Sequence, residues 1–377
     1  MADNGLSLAA ALLNAARSPF RLKSKQPLVS PRKALILQPC CLGRVMLTTP
    51  LLMALGNAFP EARFDWAISE WALQAISSNP RVTRTIHTGP GDISDDNRDS
   101  VSKLVETIRG EAYDTCFIPS RSGALARVAA QAGIAQRIGL SEGGRNSHTV
   151  AVRPLEGERQ TARTYLSLAA AVGVDEATIA AAEMEFHPTD SDRTTVTRWL
   201  VEEFDWLGDT PLVVLHPGGG ENPSQTNINK RWPAHRFARL ANYLTRTHHV
   251  RIIVVGTAEE RWLADQVAGM VPFPVMNRAG RVGLGELGAL CELASLYVGN
   301  DVGSTHVAAA TGCPTLAIYG PTDPGVYAPY MVNGRVQTLW RPYEGEFNWT
   351  TGVSVDEAIG AAEELLATHA LTGNSVT

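Results

Sequence analysis

The residues best suited to bind an anion follow a predicted strand near residue 300. An apolar run leads into a glycine-containing turn that holds Asp301 and Gly303. Ser304 and Thr305 then open an alanine-rich, helix-like run that includes His306. The first N–H groups of a helix have no internal partner and carry partial positive charge, and nearby hydroxyls can bind phosphate or cap the helix. The spacing fits a phosphate site, and it fits an ordinary strand-to-helix turn equally well.

A second loop with phosphate-binding chemistry follows the predicted strand at residues 212–215. It holds His216 and a run of glycines that includes Gly218 and Gly219, and Lys230 comes just before a Trp-Pro pair. Glycines expose backbone N–H groups, and lysine is a point charge that proteins use to bind phosphate. This combination favours phosphate binding over a flexible loop with a solvated Lys-Arg pair.

Two carboxylates, Glu259 and Glu260, follow the next predicted strand, at residues 251–255. A carboxylate in this position can accept hydrogen bonds from ribose hydroxyls, as in dinucleotide-binding folds. A glutamate near a helix N-terminus is also favourable through its interaction with the helix dipole alone. The spacing alone favours the dipole interpretation slightly and leaves the ribose interpretation open.

Strands and helices are predicted to alternate in both halves of the chain and to carry these loops. Short apolar runs alternate with amphipathic stretches, which is typical of an α/β fold with parallel, doubly wound sheets. Two such domains facing each other would bind ligands in the crevice between them. We predict an N-terminal extension at 1–30, a first domain at 31–187, a second domain at 188–354, and a C-terminal helix and tail at 355–377 that could pack back on the first domain.

Composition is that of an ordinary globular chain of 377 residues, long enough for two domains. The net charge of −5 provides no basic field that would favour nucleic acid as a partner. No apolar run reaches transmembrane length, and the histidines show no metal-ligand spacing. The five cysteines form no C-x-x-C pair, so we expect buried, reduced thiols and a cytoplasmic location.

The N-terminal extension combines a short leucine-rich segment with basic residues that include Arg17, Arg21, Lys23 and Lys25. Such a segment could lie on an anionic membrane surface, which would make the protein a peripheral membrane protein. The alternatives are a loose extension and a helix docked on the body of the protein.

A series of ordered motifs resembles glycosyltransferase family 9, the heptosyltransferases that build the lipopolysaccharide inner core. Residues 42–50 (LGRVMLTTP) resemble the family's G-D-x-x-x-T-T-P segment, and residues 59–62 (FPEA) resemble its F-P-x-A. Residues 230–233 (KRWP) resemble its K-x-W-P, residues 301–306 (DVGSTH) its D-T-G-x-x-H, and residues 319–324 (YGPTDP) its F/Y-G-P-T-D-P.

The resemblance implies a GT-B fold of two Rossmann-like domains that face a central cleft. It also implies an inverting transfer of a sugar, heptose by default, from a nucleoside diphosphate such as ADP-heptose to a glycan or lipopolysaccharide-type acceptor. No metal or other cofactor is expected. Lys230 and the N–H groups of residues 303–305 would stabilise the leaving diphosphate, Asp301 would lie near the sugar or the phosphates, and Glu259 or Glu260 would contact the ribose. The implied donor site also includes His216, Gly218, Gly219 and His306.

The implied acceptor side consists of Gly43, Arg44, Thr48 and Thr49, and Arg44 departs from the family pattern. The resemblance places a catalytic aspartate at this position, and arginine cannot accept a proton at neutral pH.

Three explanations of this departure remain open. Asp301, Asp65 or Glu70 could be the base, the acceptor could need no strong base, or the protein could be a catalytically silent relative that binds nucleotide sugars as a partner or scaffold. A GT-B epimerase or phosphorylase is a weaker alternative, because the K-x-W-P and D-x-G-x-x-H motifs argue against it.

Overall fold

The computed structural model describes residues 21–24, 28–93, 98–141, 147–154, 156–222, 225–332 and 335–373. The chain forms a first compact unit, Met1–Met184, and a second, Glu185–Thr377. Most of the segment predicted to lie on a membrane falls outside the described residues. No helix within those ranges is long and apolar enough to cross a membrane.

The first unit contains a seven-stranded sheet. Its strands are β1 (Arg21–Ser24), β2 (Lys33–Leu37), β3 (Arg63–Ile68), β4 (Val82–His87), β5 (Thr115–Ile118), β6 (Gln136–Leu140) and β7 (Val150–Arg153). They lie in the order β1-β7-β6-β5-β2-β3-β4, and every pairing is parallel except that of β1 with β7. β1 therefore adds an edge strand from residues that the sequence assigned to an extension.

Helices connect most of the parallel strands of the first unit. They are α1 (Leu42–Met46), α2 (Thr49–Ala58), α3 (Arg98–Gly110), α4 (Gly123–Gln131), α5 (Thr161–Ala170) and α6 (Glu176–Ala180), with a 3-10 segment at Glu70–Ala75. In β2, Leu35 and Leu37 are fully buried and pack in one cluster with Ile108 of α3 and Val128 of α4. Burial on both faces explains why the strand is almost continuously apolar.

One sequence expectation about the cysteines is wrong. Cys40 and Cys41, just after β2, are joined to each other by a disulfide across a cis peptide bond, with their Cα atoms 3.0 Å apart. The sequence favoured two reduced side chains because adjacent cysteines have poor geometry for a disulfide with each other. Cys116, Cys291 and Cys313 are free and buried, as predicted.

The second unit is built on a six-stranded parallel sheet, with a short antiparallel pair (β9 and β10) beside it. The strands are β8 (Leu212–His216), β9 (Glu221–Asn222), β10 (Gln225–Thr226), β11 (Arg251–Val254), β12 (Val275–Asn277), β13 (Leu296–Asn300), β14 (Thr315–Ile318) and β15 (Val336–Leu339). The helices are α7 (Asp190–Phe204), α8 (Ala234–His248), α9 (Arg261–Gly269), α10 (Leu284–Leu293), α11 (Gly303–Ala310), α12 (Pro324–Tyr327) and α13 (Val355–Gly373), with a 3-10 turn at Ile228–Lys230.

Helices cover both faces of this sheet, and the side chains of β8 alternate between them. Val213 and Leu215 belong to an apolar cluster with residues of α8, α9 and α13. Leu212 and Val214 belong to the opposite cluster, with residues of α7, α10 and α11. This alternation follows from the two-residue period of a strand and confirms the predicted doubly wound arrangement.

The strand order places a topological switch point beside β8. The sheet runs β12-β11-β8-β13-β14-β15, so the chain proceeds from β8 to β11 on one side and later resumes at β13 on the other. Connections that diverge from neighbouring strands leave a crevice at the carboxyl edge of the sheet, where α/β proteins bind ligands. The second sheet therefore offers its binding position after β8 and β13.

The last helix, α13, packs on the second unit. Its buried residues Ala358, Ala362 and Leu365 belong to the same apolar cluster as Phe237 of α8. These apolar positions of the helix are therefore buried against α8.

Candidate functional site

The candidate site of the second unit lies at the carboxyl ends of β8, β11 and β13. His216 is the last residue of β8 and pairs in register with Gly299 of β13. Because parallel neighbours end at the same edge of a sheet, the segments after these strands come together. This edge collects the loops that the sequence indicated, which lie far apart along the chain.

Lys230 and Asp301 form an ion pair at this edge. The Lys230 Nζ lies 2.6 Å from Asp301 Oδ2, and the two side chains are 14% and 6% exposed. Lys230 ends the 3-10 turn, while Asp301 follows β13 directly. Asp301 therefore fixes the position of the Lys230 ammonium at the crevice, and Lys230 in turn neutralises the Asp301 carboxylate.

Asn300 fixes the glycine loop against this pair. Its Nδ2 donates to the carbonyl oxygens of Pro217 and Gly218 at 3.0 and 2.8 Å, and its Oδ1 accepts from the Trp232 N–H at 2.9 Å. The side chain is fully buried. Sequence reasoning missed Asn300, although a polar residue between an apolar strand and Asp301 was a local signal.

The N-terminus of α11 lies beside Asp301 and starts at Gly303. The Thr305 hydroxyl donates to the Asn300 carbonyl at 2.6 Å, so it supports the turn instead of facing a ligand. The Ser304 Oγ lies 2.6 Å from His216 Nδ1. Both hydroxyls thus have partners within the protein, and the first turn offers its backbone N–H groups as anion donors.

The two glutamates after β11 have different environments. Glu259 is exposed, whereas Glu260 is buried and points back toward the glycine loop. Glu260 accepts hydrogen bonds from the Gly219 and Thr257 N–H groups and lies 3.1 Å from His216 Nε2. Burial disfavours its charge, but these donors and His216 outweigh the burial and lower the pKa of Glu260 to about 2. Glu260 is therefore a carboxylate anion that holds the glycine loop in place.

Two of the glycines are required by close contacts. A Cβ on Gly218 would lie 2.2 Å from the Glu260 carboxyl carbon. Gly219 has a φ of +104°, and a Cβ there would lie 1.8 Å from Val302 Cγ1. The run of glycines thus lets the loop lie against both Glu260 and the residue that precedes α11.

His306 is buried in the first half of α11, and its Nδ1 has no hydrogen-bond partner among the described residues. Burial, aided by the nearby Lys230 charge and opposed by Asp301, lowers the pKa of His306 to about 4. Its ring is therefore neutral at physiological pH, with one nitrogen left for a ligand or a water.

The predicted acceptor-side residues belong to the first unit. Gly43 and Arg44 lie on α1, and an Arg44 guanidinium nitrogen lies 3.0 Å from Asp92 Oδ2. The buried Thr48 and Thr49 hydroxyls donate to the Arg44 and Met46 carbonyl oxygens, both at 2.8 Å. These two hydroxyls therefore brace the turn between α1 and α2.

The candidate bases differ in availability. Asp65 is buried within β3 and accepts a 2.6 Å hydrogen bond from the Tyr113 hydroxyl, so it is a structural residue. Glu70 is exposed just after β3, and Asp301 is paired with Lys230. Asp92, which contacts Arg44, lies in a loop that the sequence analysis did not connect with Arg44.

The described ranges contain no group of three or more His, Cys, Asp or Glu side chains arranged to hold a metal ion. Lys230 and Arg231, whose Nε donates to the Gly219 carbonyl oxygen at 2.7 Å, bring positive charge to the candidate site.

A lysine and a helix N-terminus at the switch point of a doubly wound sheet are features with which α/β proteins bind anions. The chain belongs to glycosyltransferase family 9 (heptosyltransferase), whose family model matches residues 101–348. The resemblance noted from the motifs is thereby confirmed, and the protein is a member of a glycosyltransferase family.

Relatives match over nearly their whole length. Lipopolysaccharide heptosyltransferase 3 of Escherichia coli K12 is 24% identical over 345 residues, 86% of this chain and 95% of that protein. The glycosyl transferase family 9 structure from Veillonella parvula DSM 2008 aligns with a TM-score of 0.75 at 20% identity, covering 90% of this chain and 99% of its own. The structure of E. coli ADP-heptose lps heptosyltransferase II aligns with a TM-score of 0.71 at 22% identity, covering 89% and 99%. The likeness confirms the GT-B type fold with two Rossmann-like domains.

Proposed function

We propose that the protein transfers a heptose from ADP-heptose to a lipopolysaccharide-type acceptor, with inversion and without a metal ion. Family membership supports a glycosyltransferase, and one relative of the same fold is named an ADP-heptose lps heptosyltransferase. The observation that carries the proposal is the position of Lys230 and Asp301 beside the N-terminus of α11.

In the proposed reaction, the acceptor hydroxyl oxygen attacks the anomeric carbon from the face opposite the diphosphate. The bond between that carbon and the diphosphate oxygen breaks, and its electron pair leaves with ADP. The hydroxyl proton passes to a base or to water. Negative charge therefore develops on the leaving diphosphate, and preorganised donors there lower the barrier most.

Lys230 and α11 supply such donors. The ammonium of Lys230 has three N–H groups, so it can donate to a phosphate oxygen while one N–H stays on Asp301. Asp301, at 2.6 Å, fixes the position of the ammonium before the donor binds. The first turn of α11 adds backbone N–H groups and the positive end of the helix dipole.

We infer that the two glutamates have different roles and that only one of them binds the ribose. Glu260 already accepts from two backbone N–H groups and contacts His216, so most of its acceptor capacity is used. The carboxylate of the exposed Glu259 accepts no such hydrogen bonds within the described residues, so it is the better candidate to bind the ribose hydroxyls.

Arg44 favours a second candidate function, a catalytically silent protein that binds nucleotide sugars as a partner or scaffold. Its guanidinium cannot take the acceptor proton, and it is already paired with Asp92. General-base assistance contributes about 10²- to 10⁴-fold, so its absence slows transfer without preventing it. Transfer by a slower enzyme and binding without transfer are therefore the two outcomes to separate.

The experiment is ADP release from ADP-heptose in the presence of lipopolysaccharide-type glycolipids that are truncated after successive inner-core sugars. We expect release that depends on one of these acceptors and a product with inverted anomeric configuration. Binding of ADP-heptose without release, with every acceptor, would support the silent relative instead.

Arg44→Asp and Arg44→Asn form a matched pair for the role of Arg44, because both remove the guanidinium and only the first adds a base. We expect Arg44→Asp to raise the transfer rate above that of Arg44→Asn and of the wild type, with donor affinity nearly unchanged. Ordinary turnover by the wild type together with inactivation by Arg44→Asp would show that Arg44 serves the reaction itself.

A cytoplasmic location, with the N-terminal segment on the inner membrane surface, stays a prediction. It fits the proposed donor and a lipid-linked acceptor. Binding of the full chain to vesicles with anionic lipid, compared with a chain that lacks residues 1–20, tests it.

A further inference from the structure

Three loops at the carboxyl edge of the first sheet are joined by backbone hydrogen bonds. They follow β2, β3 and β4, and the first of them leads into α1. The Ser69 N–H donates to the Pro39 carbonyl and the Glu70 N–H to the Gly89 carbonyl, both at 3.0 Å. Because α/β proteins bind ligands at the carboxyl ends of their strands, these loops lie where a substrate of the first unit would bind.

Two carboxylates, Glu70 and Asp92, belong to these loops, and the structure fixes only one of them in position. Asp92 Oδ2 accepts from Arg44 Nη2 at 3.0 Å, and Asp92 Oδ1 accepts from the Ile93 N–H at 3.0 Å. The carboxylate of the exposed Glu70 accepts no hydrogen bond within the described residues. Asp92 is therefore the preorganised acid of this edge.

The ion pair of Arg44 and Asp92 is accessible to a ligand. The two side chains are 35% and 36% exposed. A carboxylate has about four lone-pair sites, so Asp92 can accept a further hydrogen while its bonds to Arg44 and Ile93 remain. Residue 44 cannot take a proton itself, but its guanidinium holds beside it a group that can.

We propose that Asp92 is the general base of the transfer and that Arg44 is a positioning residue that orients it. This role rests on the proposed function. The acceptor O–H bond breaks as its oxygen bonds to the anomeric carbon, and the proton passes to the Asp92 carboxylate. The bond between that carbon and the diphosphate oxygen breaks, its electron pair leaves with ADP, and Asp92 later releases the proton to water.

The first test compares the transfer rates of the full-length wild type and Asp92→Asn, with ADP-heptose and the truncated glycolipids. Loss of the base should lower the rate by about 10²- to 10⁴-fold. The dissociation constant of ADP-heptose, measured by calorimetry, should stay unchanged, which also shows that the variant is folded. Asp92→Glu should regain part of the rate, and Glu70→Gln should lose far less than Asp92→Asn.

The second test repeats Asp92→Asn in the Arg44→Asp background. There the introduced carboxylate can take the proton, so the loss of Asp92 should have little effect on the rate. A purely structural role of Asp92 would cost the same in both backgrounds, because the two changes would then act independently. For the positioning role, Arg44→Lys keeps a cation for Asp92 and should retain more of the rate than Arg44→Asn.

The outcomes separate this role of Asp92 from the proposed function. Transfer by the wild type that Asp92→Asn leaves unchanged would overturn the role of Asp92 and leave the proposed function standing. An equal loss in the wild-type and Arg44→Asp backgrounds, or a larger loss with Glu70→Gln than with Asp92→Asn, would overturn it as well. No transfer by the wild type to any acceptor would overturn both.

Discussion

Glu260 provides the most direct test of how the glycine loop is held. Glu260→Gln preserves the shape of the side chain and removes its charge. One of the two glutamine termini is an NH₂ group, so it must face a backbone N–H, at Gly219 or Thr257, that now donates to a carboxylate oxygen. The variant therefore loses a charge-assisted hydrogen bond and leaves a buried donor unsatisfied.

The size of the effect follows from the lowered pKa of Glu260. A fall from the ordinary 4.5 to about 2 corresponds to about 3 kcal/mol, at about 1.4 kcal/mol per pKa unit. Because the folded-state pKa lies below the unfolded value, this stability is fully present above about pH 5 and is lost as the pH falls toward 2. We expect Glu260→Gln to lower the free energy of unfolding by up to about 3 kcal/mol at pH 6, and by progressively less below pH 4.5.

The assay is urea unfolding, followed by circular dichroism, at a series of pH values from 3.5 to 7. The matched control is Glu259→Gln, which removes the same charge from the exposed neighbour. Its free energy of unfolding should stay within about 0.5 kcal/mol of the wild type at every pH. Parallel pH profiles for the wild type and Glu260→Gln would refute the role assigned to Glu260.

Two further substitutions test the same loop. Gly218→Ala places a Cβ 2.2 Å from the Glu260 carboxyl carbon and should lower the free energy of unfolding by about 3 kcal/mol. Its control is Gly360→Ala, inside α13, where no atom lies within 4 Å of the added Cβ. This control should raise the free energy of unfolding by about 0.5 to 1 kcal/mol. Asn300→Asp replaces the amide that donates to two carbonyl oxygens with a buried carboxylate and should cost about 3 kcal/mol or more. Asn348→Asp is its control, because Asn348 is exposed and uses only its oxygen, toward Thr350, so little change is expected. Urea unfolding measures all four, and equal effects within either pair would contradict the contacts described here.

The parts of the site that were predictable from sequence are those with a local signal. The apolar run of β13, the turn at Asp301 and the start of α11 lie within a few residues of each other. The glycines at 218 and 219 indicated a loop with exposed backbone N–H groups, and the structure adds their close contacts with Glu260 and Val302. Such features depend on backbone conformation and strand order, which short patterns encode.

The parts that were not predictable depend on contacts between distant segments. Nothing adjacent in sequence distinguishes the buried Glu260 from the exposed Glu259, because the difference comes from His216 and Gly219. The Arg44 partner, Asp92, lies in a loop with no pattern that links it to α1. The same limit explains β1, whose partner strand, β7, is distant in sequence.

The Thr305 hydroxyl illustrates a second limit. A threonine at a helix N-terminus fits phosphate binding and backbone support equally well, since both use the same donor. The structure gives that hydrogen to the Asn300 carbonyl. Residue type alone therefore identified the turn and not the partner of its side chain.

The most direct test of the proposed donor site is the dissociation constant of ADP-heptose for the wild type and for Lys230→Met, measured by calorimetry at one pH and salt concentration. We expect stoichiometric binding by the wild type and a dissociation constant about 10- to 150-fold higher in the variant. The variant loses a charge-assisted hydrogen bond to the donor worth about 1.5 to 3 kcal/mol, and Asp301 loses its partner. Arg239→Met, which removes an exposed cation from α8, should leave the dissociation constant unchanged. Failure of the wild type to bind ADP-heptose, or equal dissociation constants for the wild type and Lys230→Met, would contradict a donor site built on Lys230.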